Sequence, residues 1–175
     1  MRAWIALVLI VPLVALAQTP GFDEGRGERD GKIEAPVQLP PYPKPENYLP
    51  FELNVTTPFA FFVDAKSISV SADGVVRYTL IAKSADGVLN ISYEGMRCAE
   101  RKFRVYAFGS SGNAWIEVRN SKWEPIRSEM RNAQRAVLYS DYFCPMSGNI
   151  ATAEQGVRAL KMGGGAGVRS TTIGY

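Results

Sequence analysis

Apolar and polar residues alternate with a period of two through the middle of the chain, and that alternation predicts an antiparallel meander. It is clearest in VVRYTLIAKS, residues 75–84, where Val76, Tyr78, Leu80 and Ala82 face one way and Arg77, Thr79 and Lys83 the other, the period of a half-buried strand. LNISYEG sets Leu89, Ile91 and Tyr93 against Asn90, Ser92 and Glu94, and KFRVYAFG sets Phe103, Val105 and Ala107 against Arg104, Tyr106 and Phe108. NAWIEVRN adds another strand, and AFFVDAKSISV one or two before the series. The connections carry turn chemistry. SADG occurs at Ser71–Gly74 and again at Ser84–Gly87, and Asp-Gly supplies the positive φ of a tight hairpin; GSSGN, residues 109–113, makes a third turn.

The period then changes. SEMRNAQRAVLYSDYF brings Met130, Ala133, Val137 and then Asp141 or Tyr142 to one helical face, with Arg131 and Arg135 on another and Ser128 as N-cap. Its β-branched and aromatic second half, VLYSDYF, also fits a strand. NIATAEQGVRALKMGGG spaces Ile150, Ala153, Val157 and Leu160 by three and four and stops at glycines, which predicts a short amphipathic helix that needs packing partners to hold in water. The fold class expected is α+β: a meander sheet of five or six strands with one or two helices against it.

Both ends of the chain read differently. MRAWIALVLIVPLVALAQTP has one basic residue, an apolar run from Ala3 to Leu16, and the small-x-small ending Ala15-Leu16-Ala17. This is the pattern of a signal peptide, with cleavage expected after Ala17 and a mature chain beginning at Gln18. The run is shorter than the roughly 20 apolar residues of a membrane span and contains Pro12, so no transmembrane segment is expected in the mature chain. Next comes GFDEGRGERDGKIE, which has little to bury. Six of the eleven prolines then fall in residues 36–50, favouring extended polyproline geometry. That segment fits a strap along the domain's own surface, pinned by Tyr42, Tyr48, Leu49 and Phe51; docking on an aromatic groove of a partner is the alternative. The organisation expected is signal peptide 1–17, charged and then proline-rich segment 18–52, α+β domain 53–150, and helix with glycine-rich tail 151–175.

Charge excludes one class of partner. Residues 18–52 carry seven acidic and four basic residues, 53–150 nine and twelve, 151–175 one and three. No strongly basic stripe marks a nucleic-acid surface, although a modestly basic body suits peripheral association with an anionic envelope. The cysteines fit the same compartment. Cys98 and Cys144 are the only two, the chain has no histidine, and their separation is far from a C-x-x-C redox spacing. In an oxidising compartment an even number pairs, so a Cys98–Cys144 disulfide is expected to tie the segment after the sheet back onto it.

The stretches PPYPKPENYLPFEL, FFVDAKSISVSADGVVRYTLIAKSADG, ISYEGMRCAERKFRVYAFG and LYSDYFCP together resemble the CNP1-like domain family of exported proteins from Gram-negative bacteria, chiefly betaproteobacteria. The resemblance spans roughly residues 40–146 and includes both cysteines. It implies a periplasmic or envelope setting and carries no activity or catalytic residues with it.

Catalytic patterns are sparse. Without histidine the usual serine and cysteine triads and most transition-metal sites have no parts, and no G-x-S-x-G elbow, phosphate-cradling loop or dinucleotide fingerprint occurs. No cofactor is expected. A carboxylate pair remains: Glu94, near Tyr93 and Arg97, and Asp141, next to Tyr142, would be drawn together by the disulfide, as glycosidic chemistry requires. The functional surface expected is therefore the disulfide end of the sheet, with Tyr93, Glu94, Arg97, Asp141 and Tyr142 around it. Its expected use is non-enzymatic binding or scaffolding of an envelope protein or polysaccharide; a hydrolase of envelope polysaccharide working through Glu94 and Asp141 is the alternative.

Overall fold

A computed structural model describes residues 34–53, 55–129, 132–145 and 149–164. The run expected to be a signal peptide, with Ala17 and Gln18, and Met130, Arg131 and the last residues of the tail lie outside the described residues.

The chain folds as one antiparallel sheet with helices on one face. Its strands are β1 (Tyr48–Phe51), β2 (Phe59–Asp64), β3 (Ser69–Val70), β4 (Val75–Ser84), β5 (Leu89–Arg97), β6 (Lys102–Gly109), β7 (Trp115–Glu117) and β8 (Glu124–Pro125). The main path is β1-β2-β4-β5-β6-β7. The short β3 pairs with β4 beyond the end of β2, and β8 pairs with β6 beyond β7. Strands β2, β4, β5, β6 and β7 of the main path match the expected meander, and the two-residue β3 falls within AFFVDAKSISV; β1 and the two-residue β8 were not expected. Both SADG turns use their glycine at positive φ, 76° at Gly74 and 86° at Gly87. In the third turn the residue with positive φ is Asn113 (57°), a conformation asparagine tolerates.

The proline-rich segment packs on its own domain. Its last residues, Tyr48–Phe51, are an edge strand of the sheet, and Pro50 sits there because an edge position can forgo a ladder donor. Upstream, Tyr42 donates its hydroxyl proton to the Ser110 carbonyl (3.0 Å), and the Trp115 indole donates to the Pro40 carbonyl (2.8 Å).

Helix α1 covers Ala133–Val137 and runs into a π-helical segment, Leu138–Phe143. Ser128 does not cap it; the residue preceding α1 is Asn132, whose side chain makes no capping bond and instead accepts from Arg135. The widened π turn brings Leu138, Tyr142 and Phe143 all to the core, which the strict three-four spacing of an α-helix would not. Helix α2 (Ala153–Lys161) opens with Thr152 accepting from the Gln155 amide and Gln155 accepting from the Ala151 amide, a reciprocal cap. It packs on β1 and the π segment.

The core between sheet and helices gathers Phe51, Val63, Val76, Tyr78, Leu80, Met96, Phe103, Leu138, Phe143 and Leu160. The disulfide joins the β5–β6 turn to the end of the π segment: Cys98 is bonded to Cys144, with Cα atoms 5.4 Å apart. The opposite face of the sheet is covered by the proline-rich strap, and a smaller cluster of Tyr93, Tyr106 and Ala107 lies there with Leu39 and Trp115 against it.

Candidate functional site

The expected surface at the disulfide end is dispersed by the pleat of β5. Tyr93 and Glu94 are successive residues of one strand and so point to opposite faces. Tyr93 lies under the strap, its ring 5.7 Å from Tyr106 and 6.1 Å from Trp115, and burial pushes its phenol pKa up. Arg97 is on that same face, stacked 4.2 Å from the Trp123 ring and paired with Glu100 at 3.4 Å. Tyr142 belongs to the helix-side core, edge-on to Phe51 at 5.9 Å. Burial raises its pKa first, with the Asp141 and Glu52 charges adding to the effect. Asp141 is half-buried on the π segment. Beside the disulfide there is a concavity of about 440 Å³, lined by Cys98, Ala99, Tyr139, Ser140, Cys144, Pro145 and Asn149, none of the five expected residues.

Glu94 meets Arg135, not Asp141. Its side chain is 0 % exposed, and among the described residues no hydrogen bond or ion pair joins it to Asp141. Arg135 of α1 reaches down with Nη2 2.7 Å from Oε1 and Nε 2.8 Å from Oε2, a two-point grip. Ser92 donates to Oε1 at 2.6 Å and Tyr78 to Oε2 at 3.3 Å. Arg135 also lies 4.2 Å from the centre of the Phe103 ring. Burial alone would lower the Arg135 pKa, but the Glu94 charge and hydrogen bonds outweigh it and hold the guanidinium more firmly protonated than usual. Every lone-pair direction of Glu94 is thus engaged inside the core, where a paired charge survives and an unpaired one does not.

Next to this pair the sheet extends beyond its helical cover. Phe61, Ala82, Asn90 and Ser92 follow from the register on the helix side of β2, β4 and β5, with Phe59, Phe108 and Ile116 beyond them. The last three are 37 %, 50 % and 60 % exposed, an unusual amount for large apolar side chains of one sheet face. Two adjoining concavities lie there: one of about 330 Å³ between Leu53, Val55, Phe59, Phe61 and Gln134, one of about 370 Å³ between Ala82, Asn90, Ser92, Phe108 and Arg135.

A second polar cluster sits on the strap face. Glu34 accepts from Arg104 Nη1 (2.9 Å), Arg77 Nη2 (3.3 Å), the Trp123 indole (3.3 Å) and the Tyr106 hydroxyl. A β-bulge at Tyr93/Glu94 turns Tyr106 and Ala107 to the same side, which breaks the alternation expected of β6. Gly95 lies directly beneath the Tyr106 ring; a Cβ there would fall 2.3 Å from the hydroxyl oxygen. Sequence reasoning missed Glu34, Arg77, Arg104, Arg135, Tyr106 and Trp123 as partners. No periodicity links residues 41 to 89 positions apart, as Arg135 is from Glu94 and Trp123 from Glu34.

Among the described residues no group of His, Cys, Asp and Glu side chains is placed to hold a metal ion, and no helix is long and apolar enough to cross a membrane. A family model described as "CNP1-like family" matches residues 29–161. The chain is also 31 % identical over 146 residues to "Cryptic neisserial protein 1" of Neisseria gonorrhoeae, an alignment covering 73 % of this chain and 70 % of that protein. No solved structure matches the chain.

Proposed function

The chain belongs to the CNP1-like family, and from that premise we propose that it is an exported, periplasmic binding protein without catalytic activity, which engages an envelope protein through the uncovered apolar end of its sheet. The observation that carries this reading is the group Phe59, Phe108 and Ile116, exposed on one sheet face beside two concavities. Apolar area of this kind on a small domain is what protein partners bury. The sealed position of Glu94 weighs in the same direction, since a general acid needs substrate and water within reach. Export is supported by the signal-like N-terminal run and by the Cys98–Cys144 bond, which reducing compartments do not sustain.

Two measurements test the reading. Immobilised mature protein incubated with periplasmic extract should retain a specific polypeptide, and the Phe108→Ser/Ile116→Ser variant should lose it while keeping the wild-type melting temperature. Equal retention by both, or release of soluble sugars from envelope polysaccharide that Glu94→Gln abolishes, would overturn the proposal. For export, mass spectrometry of the protein recovered from periplasm should find Gln18 or its cyclised form at the N-terminus; recovery of intact Met1 in the membrane fraction is the contrary result.

A further inference from the structure

The Glu34 cluster has the composition of a ligand site. Two guanidiniums, a phenol and an indole, drawn from β4, β6 and the segment before β8, converge on one carboxylate. Arg77, Tyr106 and Trp123 have anchors besides that carboxylate, and the Arg104 guanidinium lies 5.7 Å from the centre of the Tyr106 ring. Arg77 is held by Asp73 at 2.9 Å and by Ser71, both in the β3–β4 turn. Tyr106 is seated over Gly95, and Trp123 is stacked against Arg97. The strap supplies the Glu34 carboxylate and, beside it, the Ala35 carbonyl, which accepts from Arg77 Nη2 at 3.3 Å, while the Ala35 amide donates to Asp73 at 2.8 Å.

Charge and hydrogen-bond capacity both point to an anion. Arg77 and Arg104 carry two positive charges, Asp73 supplies one negative charge, and Glu34 supplies the other. Withdrawing Glu34 would leave one uncompensated cation in a site where the Arg77 side chain is only 4 % exposed, a state that draws in an anion. The cradle also has donor capacity in reserve, because the buried Nε of Arg77 and of Arg104 both lack a hydrogen-bond partner among the described residues. Lys would not serve as well as these two planar guanidiniums, which match the geometry of a carboxylate.

We propose that Arg77, Arg104, Tyr106 and Trp123 form a carboxylate-binding site built into the strap face of the sheet, which Glu34 fills in the resting chain and which takes an external carboxylate when Glu34 is removed. The ligand class is a carboxylate on a slim, flexible carrier, such as an acidic peptide side chain, because the present occupant is one. This site is on the opposite face from the apolar end and stands independently of the partner proposed there.

Chemical rescue tests it. Glu34→Ala in the full mature chain removes the equivalent of one acetate and leaves the donors in place. Titrated with sodium acetate against sodium chloride at equal ionic strength, this variant should gain about 3–6 °C in Tm along a saturating curve, while the wild type gains nothing selective. Adding Arg104→Gln should abolish the gain. Equal responses to acetate and chloride, or equal responses of wild type and variant, would overturn the proposal. If Glu34→Ala does not fold, Glu34→Gln serves: its neutral amide is a weaker occupant, so glutarate should shift the Trp123 indole resonance in this variant and not in the wild type. An unmoved resonance in the variant would be equally decisive against the site.

Discussion

Arg135→Ala is expected to destabilise the fold by about 3–5 kcal/mol, the range for removing one partner of a buried ion pair. Glu94 has no route to water: it is 0 % exposed, and the remaining donors, Ser92 and Tyr78, are neutral hydroxyls. Loss of the guanidinium also removes the cation stacked on Phe103 and the bond to Asn132 that holds the start of α1. Urea denaturation should show a lower midpoint with an unchanged slope. The double variant Arg135→Met/Glu94→Leu separates the two contributions. Replacing both charges by apolar groups of similar shape removes the uncompensated carboxylate, so it should recover most of the loss. A double variant as unstable as Arg135→Ala would assign the effect to the packing of α1, and an Arg135→Ala variant as stable as wild type would show that Glu94 finds another partner.

Strands β4 and β5 show what sequence could and could not reveal. On β4 the alternation of Val76, Tyr78, Leu80 and Ala82 against Arg77, Thr79 and Lys83 was legible, because the first set belongs to or packs against the helix-side core. Arg77 and Thr79 nonetheless lie buried as well: the strap reaches Arg77 through Glu34 and Ala35, and the Ser67 hydroxyl accepts from the Thr79 amide. A polar residue opposite an apolar stripe reads as solvated, and only the three-dimensional path of the chain makes it buried. On β5 the rule is inverted: Ser92 and Glu94 face the core, and their burial depends on an arginine more than forty residues away. The SADG turns, the disulfide and α2 were legible because each is local or constrained by compartment. β1 was not, since prolines and a strap-like composition mask an edge strand whose partner begins eight residues on.

The candidate site was less legible for a related reason. Proximity in sequence placed Tyr93, Glu94 and Arg97 together, but a strand divides near neighbours between its faces. Phe108 and Ile116 carried a signal that could have been used: apolar residues at the outer end of the polar-facing set in β6 and β7 indicate either a core or a binding face. What decides between them is how far the helices reach, and α1 covers Ala133–Val137.

The disulfide supplies the second large effect. Cys144→Ser should lower stability by about 4 kcal/mol, the loop-closure entropy for a bridge spanning this length, with a sequence separation of 46. The position of the bridge makes the loss specific. It fixes the β5–β6 turn to the end of the π segment, which carries Leu138, Tyr142 and Phe143 into the core, and α2 packs on that segment and on β1. Without the bridge the π segment keeps its apolar contacts but loses its covalent stop, so its amides should exchange faster than those of β4 and β5. Cys98, freed, leaves an unpaired thiol at a turn, and under oxidising conditions dimers linked through it should accumulate. Non-reducing electrophoresis of Cys144→Ser and thiol alkylation of the denatured wild type without reductant check both halves. Monomeric Cys144→Ser with wild-type stability, or two alkylated cysteines in the wild type, would remove the bridge from the account of how this domain holds its helices to its sheet.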